Sequence, residues 1–157
     1  MRAFVLNLFL AFVWVTLTGR ATASAAAVGF VLGYFLLLWL RRLIGPTTYF
    51  EKVPTVLSFV VFYAKEMLRA NLRVARDVLS KRRQSRPGII AVPLDLATDL
   101  EITTLVILLA LTPGTFGLDI SSDRRILFIH AMFVESADAL RATIKNEFER
   151  RVRELYR

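Results

Sequence analysis

The chain contains no cysteine among its 157 residues and only one histidine. Without thiols it can form neither a disulfide nor a zinc or iron–sulfur site built on thiolates. Charge is scarce at the start, where residues 1–40 carry only Arg2 and Arg20. Because 55% of the residues are hydrophobic, the chain has too much apolar surface to remain disordered. These features exclude a disulfide scaffold, a thiolate metal centre and intrinsic disorder.

Positive charge is concentrated in the middle of the chain. The chain has 21 Lys and Arg against 13 Asp and Glu, a net charge of +8. Eleven of the basic residues lie between positions 41 and 87, together with three acidic ones. This basic band directly follows the most apolar part of the sequence, and such an arrangement is typical of a membrane protein.

Two uncharged apolar runs, residues 3–18 and 21–40, predict a transmembrane helical hairpin within residues 1–42. The first run has sixteen residues, as does the most apolar part of the second, residues 25–40; sixteen helical residues reach about 24 Å, against roughly 30 Å for a bilayer core. Both helices are therefore short for spanning. The positive-inside rule places both termini and the basic band in the cytoplasm.

Three alternatives to this hairpin are less favoured. A third crossing would use residues 53–64, which are few and contain Pro54; this alternative stays open. A cleaved signal peptide would use the A-x-A pattern at residues 21–23, but Arg20 lies directly before it. A buried hairpin of a soluble protein is disfavoured because neither run has a polar face.

Small residues recur every four positions in the second run, at Ala21, Ala25, Gly29 and Gly33. Residues at this spacing share one helix face, and Gly-x-x-x-Gly allows a second helix to approach closely. The stripe predicts packing either on the chain's own first helix or on a partner subunit. In the second case Ala25, Gly29 and Gly33 would form a subunit interface.

Residues 43–87 predict an interfacial, amphipathic basic helix and a linker. One helix is expected from Val53 to Ser80, with Pro54 in its first turn. Its basic side chains share one arc, opposite an apolar face, which is the pattern of a helix at a membrane surface. The basic face comprises Arg41, Arg42, Lys65, Arg69, Arg73 and Arg76, and the linker adds Lys81, Arg82, Arg83 and Arg86. This charge predicts attraction to anionic lipids, whereas no motif for nucleic-acid recognition accompanies it.

Residues 88–157 predict a small cytoplasmic α/β domain with the order β-α-β-β-α, so the whole chain is expected to be an α+β membrane protein. Thr98 and Glu101 form a capping box before an apolar helix that continues to Leu111. Strands over residues 116–120 and 126–133 are joined by a turn at 121–124.

A final helix, capped by Ser136, is expected to continue to about Tyr156. Its outer face should carry the pairs Glu147–Arg151 and Glu149–Arg153, four residues apart. Its inner face is expected to be Ala137, Leu140, Ile144, Phe148, Val152 and Leu155.

Several stretches of the C-terminal part resemble one family. They are Leu111-Thr112-Pro113-Gly114-Thr115, Asp119, Ile129-His130 and the run IKNEFE at residues 144–149. With the hairpin and basic segment, they make nearly the whole chain similar to the E subunit of the Mrp (Mnh, Pha) sodium/proton antiporter. The resemblance implies a multisubunit antiporter of a prokaryotic inner membrane, in which the A, B, C, D, F and G types of subunit are the partners. The motif residues are expected to be structural: Thr112, Pro113, Gly114, Thr115, Asp119 and His130.

The apolar runs lack the groups that proton transfer needs. Relay through a bilayer uses buried Asp, Glu, His or Lys side chains, and residues 3–18 and 21–40 contain none. No nucleophile set or phosphate loop is visible either, and His130 has no second imidazole beside it in sequence to bind a metal. His130 is expected to be a structural hydrogen-bonding residue, with pH sensing as the alternative.

The sequence therefore predicts an accessory, non-catalytic subunit that is not an enzyme and needs no cofactor. Two other functions stay open. One is a stand-alone, membrane-anchored module that binds lipids or a partner. The other is an independent ion carrier.

Overall fold

The computed structural model describes residues 2–44, 48–80 and 85–156. It divides into two compact units, Met1–Thr55 and Val56–Arg157. The division falls inside one long helix, so most of the expected middle segment belongs with the C-terminal unit. Lys81, Arg82 and Arg83 of the expected linker lie outside the described residues.

The first unit is built around two helices, α1 (Arg2–Thr18) and α2 (Ala23–Trp39). Gly19, with φ +64°, reverses the chain between them. Thr22 begins α2 as its N-cap, because its side chain accepts a hydrogen bond from the Ala25 amide at 3.2 Å. A short helix α3 (Arg41–Ile44) follows. The predicted helical hairpin is thus present as a pair of packed helices.

Among the helices in the described parts of the chain, none has both the length and the apolar character required to cross a membrane. The prediction that the hairpin spans the bilayer is therefore not confirmed.

A single helix of 31 residues, α4 (Tyr49–Leu79), links the two units. It begins four residues earlier than the sequence predicts, so the expected place of Pro54 in the first turn is wrong. Pro54 lies inside the helix, where it has no amide hydrogen for the Phe50 carbonyl. Thr55, the next residue, donates its Oγ1 hydrogen to the Glu51 carbonyl at 3.1 Å.

The second unit has the predicted order of elements. They are β1 (Gly88–Pro93), α5 (Asp99–Leu111), β2 (Thr115–Ile120), β3 (Ile126–Ala131), α6 (Ala137–Thr143), a π-helical segment (Ile144–Glu149) and α7 (Arg150–Tyr156). The last three form one continuous C-terminal helix. The strands form an antiparallel sheet in the order β1-β3-β2. The third strand ends at Ala131, two residues before the predicted end.

One face of this sheet forms the core with α5 and the C-terminal helix. Val92, Ile129 and Leu105 are fully buried there. The second half of α4 covers the same core, where the Phe62 ring meets the Phe148 ring edge-on at 5.4 Å and Tyr63 Oη donates to the Leu108 carbonyl at 3.3 Å. The second half of α4 is therefore packed on the core of the second unit.

The predicted caps and turn of this unit are confirmed. Thr98 Oγ1 accepts from the Glu101 amide, and the Glu101 carboxylate accepts from the Thr98 amide at 2.9 Å. The Ser136 side chain accepts from the Ala139 amide and begins α6. In the turn before β3, Arg124 adopts φ +58°, an uncommon conformation for a residue other than glycine.

Candidate functional site

In the hairpin of the first unit, small side chains are buried between the helices and most large apolar side chains are exposed. Its buried positions are small, polar or both, namely Ala3, Asn7, Ala11, Gly29 and Gly33, with Leu37 as the one large exception. Most of its large apolar side chains point outwards: the exposed ones are Phe4, Val5, Leu6, Leu8, Phe9, Phe12, Leu17, Val28, Val31, Leu32, Phe35, Leu36 and Trp39. This is the reverse of a water-soluble hairpin and typical of helices surrounded by lipid or other apolar helices.

Gly29 and Gly33 of the predicted stripe face α1. A Cβ at Gly29 would lie 2.8 Å from Trp14 Cβ, and a Cβ at Gly33 would overlap Asn7 Oδ1. Ala25 is half-buried. Of the two interpretations of the stripe, these contacts support packing on the chain's own first helix.

An aromatic cluster closes the open end of the hairpin. Tyr49, at the start of α4, lies between Phe4 of α1 and Tyr34 of α2, with ring centroids 5.9 and 5.8 Å away. Its hydroxyl accepts a hydrogen bond from Asn7 Nδ2 at 2.7 Å. Arg41 and Arg42, from the predicted basic face, are exposed on α3.

The Thr-Pro-Gly-Thr motif forms the turn between α5 and β2. Thr112 Oγ1 donates to the Leu108 carbonyl at 2.7 Å, and Thr115 Oγ1 donates to the Leu109 carbonyl at 2.6 Å. Both bonds go to carbonyls in the last turn of α5, where the regular helical hydrogen bonds end. Gly114 adopts φ +90°, which suits glycine. Pro113, between Thr112 and Gly114, is half-buried. The motif therefore ends a buried helix and starts the next strand.

Two further motif residues lie on the strands of the sheet. Asp119 follows the irregularity in β2, and its carboxylate accepts from the Ile120 amide at 2.8 Å. His130 is half-buried on β3, opposite Ile89 of β1 and Phe116 of β2. Its imidazole makes no hydrogen bond within the described residues, so the expected structural bond is not seen there.

Glu149 is the buried acid that the sequence does not predict. It is only 1% exposed, whereas an α-helical projection places it on the outer face. The π-helical segment widens the turn by one residue per hydrogen bond, so that Phe148 and Glu149 both point inwards. Both predicted ion pairs exist, with Arg153 3.2 Å from Glu149 and Arg151 3.8 Å from Glu147, but the outward direction of Glu149 is wrong. No sequence signal marks a π turn.

Burial raises the pKa of the Glu149 carboxyl group, although the Asp95 amide, Lys145 and Arg153 oppose the shift. Its Oε1 accepts from the Asp95 amide at 2.6 Å, while its Oε2 is buried without a partner in the described chain. The Asp95 carboxylate pairs with Lys145 at 2.6 Å, and the hydrogen bond from Lys145 lowers the pKa of Asp95. This cluster ties the loop after β1 to the C-terminal helix.

The basic side chains of α4 are exposed along one side of the helix. Arg69 forms an ion pair with Glu66, and the Arg73 guanidinium lies 5.9 Å from the centre of the Phe133 ring. Lys65 and Arg76 have no ion pair with the described residues. Beside this arc the helix exposes an apolar stripe, the α4 stripe: Val56, Leu57, Val60, Val61, Met67, Leu68, Leu72, Val78 and Leu79.

A metal ion is held by several ligating side chains grouped together. In the described ranges, no group of three or more His, Cys, Asp or Glu side chains that could hold a metal is present. The structure is thus that of a small α+β protein. It has a helical hairpin with exposed apolar side chains and a second unit of helices around a three-stranded sheet.

Comparison with known proteins places this architecture in a family. The model of a family described as "Na+/H+ ion antiporter subunit" matches residues 7–155. The chain is 39% identical over 153 residues to the E subunit of the Na(+)/H(+) antiporter of Bacillus subtilis, covering 98% of this chain and 97% of that protein. It is 36% identical over 151 residues to the corresponding E subunit of Alkalihalophilus pseudofirmus, covering 96% of each.

The chain therefore belongs to the family of Na+/H+ antiporter E subunits, and the resemblance in its sequence is confirmed. Two solved structures share the fold at 24% identity. A chain of the Mrp complex from Dietzia sp. matches with a TM-score of 0.51 over 65% of this chain and 96% of that chain. A chain of the membrane-bound sulfane sulfur reductase, an archaeal respiratory membrane complex, matches with a TM-score of 0.59 over 98% of both.

Proposed function

We propose that this chain is an accessory, non-catalytic subunit of an Mrp-type Na+/H+ antiporter in a prokaryotic cell membrane, where it supports assembly of the complex. Membership of the antiporter E-subunit family supports its place in the complex. The observation that most supports a structural role is the hairpin, whose large side chains are mostly exposed and whose small ones are buried. The exposed surface of α1 and α2 is apolar, and an apolar surface of this extent needs a cover of lipid or of neighbouring subunits.

The composition of the hairpin argues against ion transfer by this chain. Residues 3–18 and α2 contain no Asp, Glu, His, Lys or Arg. The buried polar side chain there is Asn7, whose amide is bonded to Tyr49. An amide cannot pick up and release a proton near neutral pH, so the other subunits carry the ions.

The second half of α4 supports a position at the cytoplasmic membrane surface. Its α4 stripe is apolar and its adjacent arc is basic, which suits a helix lying between acyl chains and anionic headgroups. The domain core covers the third side through Phe62 and Tyr63. In this orientation the C-terminal domain lies in the cytoplasm.

Purification of the tagged full chain from its native membrane tests the proposal. We expect mild detergent to release it together with the other antiporter subunits. Recovery of a lone, folded chain would contradict the proposal and favour a stand-alone, membrane-anchored module. A single-site variant on the outward face, Phe12→Ser, should lower the yield of the complex, whereas Thr18→Ser at the end of α1 serves as its control.

Reconstitution of this chain alone tests the non-catalytic part. Vesicles that contain only this protein should show no Na+ movement when a pH gradient is imposed. Sodium flux above that of empty vesicles would make the chain an independent carrier.

A further inference from the structure

A groove runs between α4 and the C-terminal helix of the second unit. It consists of two cavities of about 160 and about 550 Å³. Glu66, Arg69 and Thr143 line both cavities, so the two cavities are adjacent. The smaller cavity has apolar walls from Ala70 and Phe148 and reaches the Thr-Pro-Gly-Thr turn. We call this feature the α4 groove.

The α4 groove carries more positive than negative charge. Lys65, Arg69 and Arg73 line it from successive turns of α4, and Arg151 lines it from the opposite helix. Its two acids are already paired, Glu66 with Arg69 and Glu147 with Arg151. Within the described ranges, Lys65 and Arg73 have no carboxylate partner. They lie eight residues apart on the helix, about 12 Å along its axis.

The strongest hydrogen-bond donors that line the α4 groove are cationic side chains. The hydroxyl hydrogens of Thr112, Thr115 and Thr143 are used on backbone carbonyls. Arg73 is held at the rim by its position over the Phe133 ring, and its guanidinium offers five N–H groups. A ligand that matches these donors is an anion with several oxygens, such as a phosphate group.

The surface next to the groove decides which phosphate compound fits. The basic arc lies between the smaller cavity and the α4 stripe, where Leu68 and Leu72 are 61% and 46% exposed. Val61 of the same stripe lines the larger cavity, so the apolar surface reaches the α4 groove there. A free phosphate ion would leave this apolar surface bare. A phospholipid can place its headgroup in the groove and its acyl chains along the stripe.

We propose that the α4 groove is a binding site for the phosphate headgroup of one anionic phospholipid, with the α4 stripe receiving its acyl chains. The site rests on the proposed membrane location of the chain. It goes beyond general attraction of a basic helix to a charged surface, because it assigns different roles to neighbouring arginines on the same arc. Arg73 lines the groove, whereas Arg76, three residues further on, does not.

The matched pair Arg73→Gln and Arg76→Gln tests this difference. The full chain in nonionic detergent is titrated with phosphatidylglycerol, and binding is followed by native mass spectrometry and by the shift in melting temperature. We expect Arg73→Gln to weaken binding about tenfold, because hydrogen bonds to charged groups are the strong ones. Arg76→Gln should weaken it less than about twofold. An equal loss of lipid affinity in both variants would contradict a specific site in the groove. It would show that the lipid is attracted only by the overall charge of the surface.

A second pair changes the space and leaves the charge intact. Ala70→Leu fills the smaller cavity, whereas Ala139→Leu adds the same atoms at an exposed position of α6 that lines neither cavity. Only Ala70→Leu should weaken lipid binding. Its folding is checked by circular dichroism, and an unchanged affinity of a folded Ala70→Leu chain would contradict the site.

Three comparisons identify the ligand class. Phosphatidylcholine should bind at least about tenfold more weakly than phosphatidylglycerol, because it has no net negative charge. Inorganic phosphate should not displace the lipid at millimolar concentration; displacement would make the groove a phosphate site and contradict the lipid proposal. If Arg73→Gln leaves lipid affinity unchanged but loses the other subunits in purification, the groove holds an acidic protein segment, and the lipid proposal is wrong. If Arg73→Gln loses lipid binding but still co-purifies with the other subunits, the lipid site is supported and the proposed function is unaffected.

Discussion

The carboxamide of Asn7 fills the place where Gly33 has no side chain, and a Cβ at Gly33 would overlap Asn7 Oδ1. Asn7 is completely buried, its Nδ2 donates to Tyr49, and its Oδ1 has no hydrogen-bond partner in the described structure. The one buried amide of the hairpin is thus held by close packing against a glycine and by one hydrogen bond.

Gly33→Ala should destabilise the hairpin by about 1–3 kcal/mol, because the new methyl group overpacks the contact with Asn7. Both tryptophans of the chain, Trp14 and Trp39, lie in this unit, so tryptophan fluorescence during thermal unfolding in detergent measures the loss. The double variant Gly33→Ala/Asn7→Ala should recover part of it, since the shorter side chain leaves room. Gly88→Ala is the matched control, because its Cβ would meet Val134 at an ordinary 3.5 Å. Additive losses in the double variant would contradict a direct contact.

Tyr49→Phe removes the hydroxyl that accepts from Asn7 Nδ2 and leaves a buried amide without any partner. We expect a loss of about 1–3 kcal/mol in the free energy of unfolding, again by tryptophan fluorescence. Tyr34→Phe is the control from the same aromatic cluster, because the Tyr34 hydroxyl makes no hydrogen bond with the described residues. Equal effects of the two variants would mean that ring packing, rather than the bond to Asn7, stabilises this end of the hairpin.

Local patterns predicted most of the C-terminal unit. The Thr98–Glu101 box, the Ser136 cap and the turn at 121–124 depend on neighbouring residues, and each is present. The Gly29–Gly33 spacing predicted a close contact with another helix but not which helix. Helix α1 of the same chain and an apolar helix of a partner subunit could both pack against these glycines. That choice depends on the tertiary arrangement.

Two features could not be predicted because tertiary packing overrides the local pattern. The start of α4 at Tyr49 places Pro54 inside a helix against its own preference, in a helix anchored at its first residue by the aromatic contacts of Tyr49. The Glu149 side chain points inwards because the π-helical segment adds one residue to the turn. No particular amino-acid composition marks such a segment in the sequence.

Thr98→Ala removes the side chain that caps α5. We expect a loss of about 1 kcal/mol in stability and faster hydrogen exchange of the first amides of α5, where Glu101 loses its partner. Thr103→Ala makes the same chemical change at an exposed position of the same helix and should be close to neutral. A Thr98→Ala variant with unchanged exchange would show that the cap contributes nothing.

Glu149 should make the stability of the C-terminal unit fall as pH rises. Burial raises its pKa above the ordinary 4.5, so between 4.5 and the raised value the native state binds more protons than the unfolded state. Stability is greatest below this window and decreases through it. Asp95, Glu101 and Asp123 act in the opposite direction, since their pKa values are lowered, but their contribution is complete by about pH 5.

Glu149→Gln isolates this effect because every other titrating group is the same in both proteins. The difference in unfolding midpoint between wild type and variant, followed by circular dichroism in urea from pH 5 to 8, should change with pH. Glu154→Gln removes a half-exposed acid from the same helix, 42% exposed at its side chain, and is the control for the loss of one carboxylate there. If the Glu149→Gln difference stays constant from pH 5 to 8, the carboxyl group is ionised throughout, and the cations Lys145 and Arg153 offset the penalty of its burial completely.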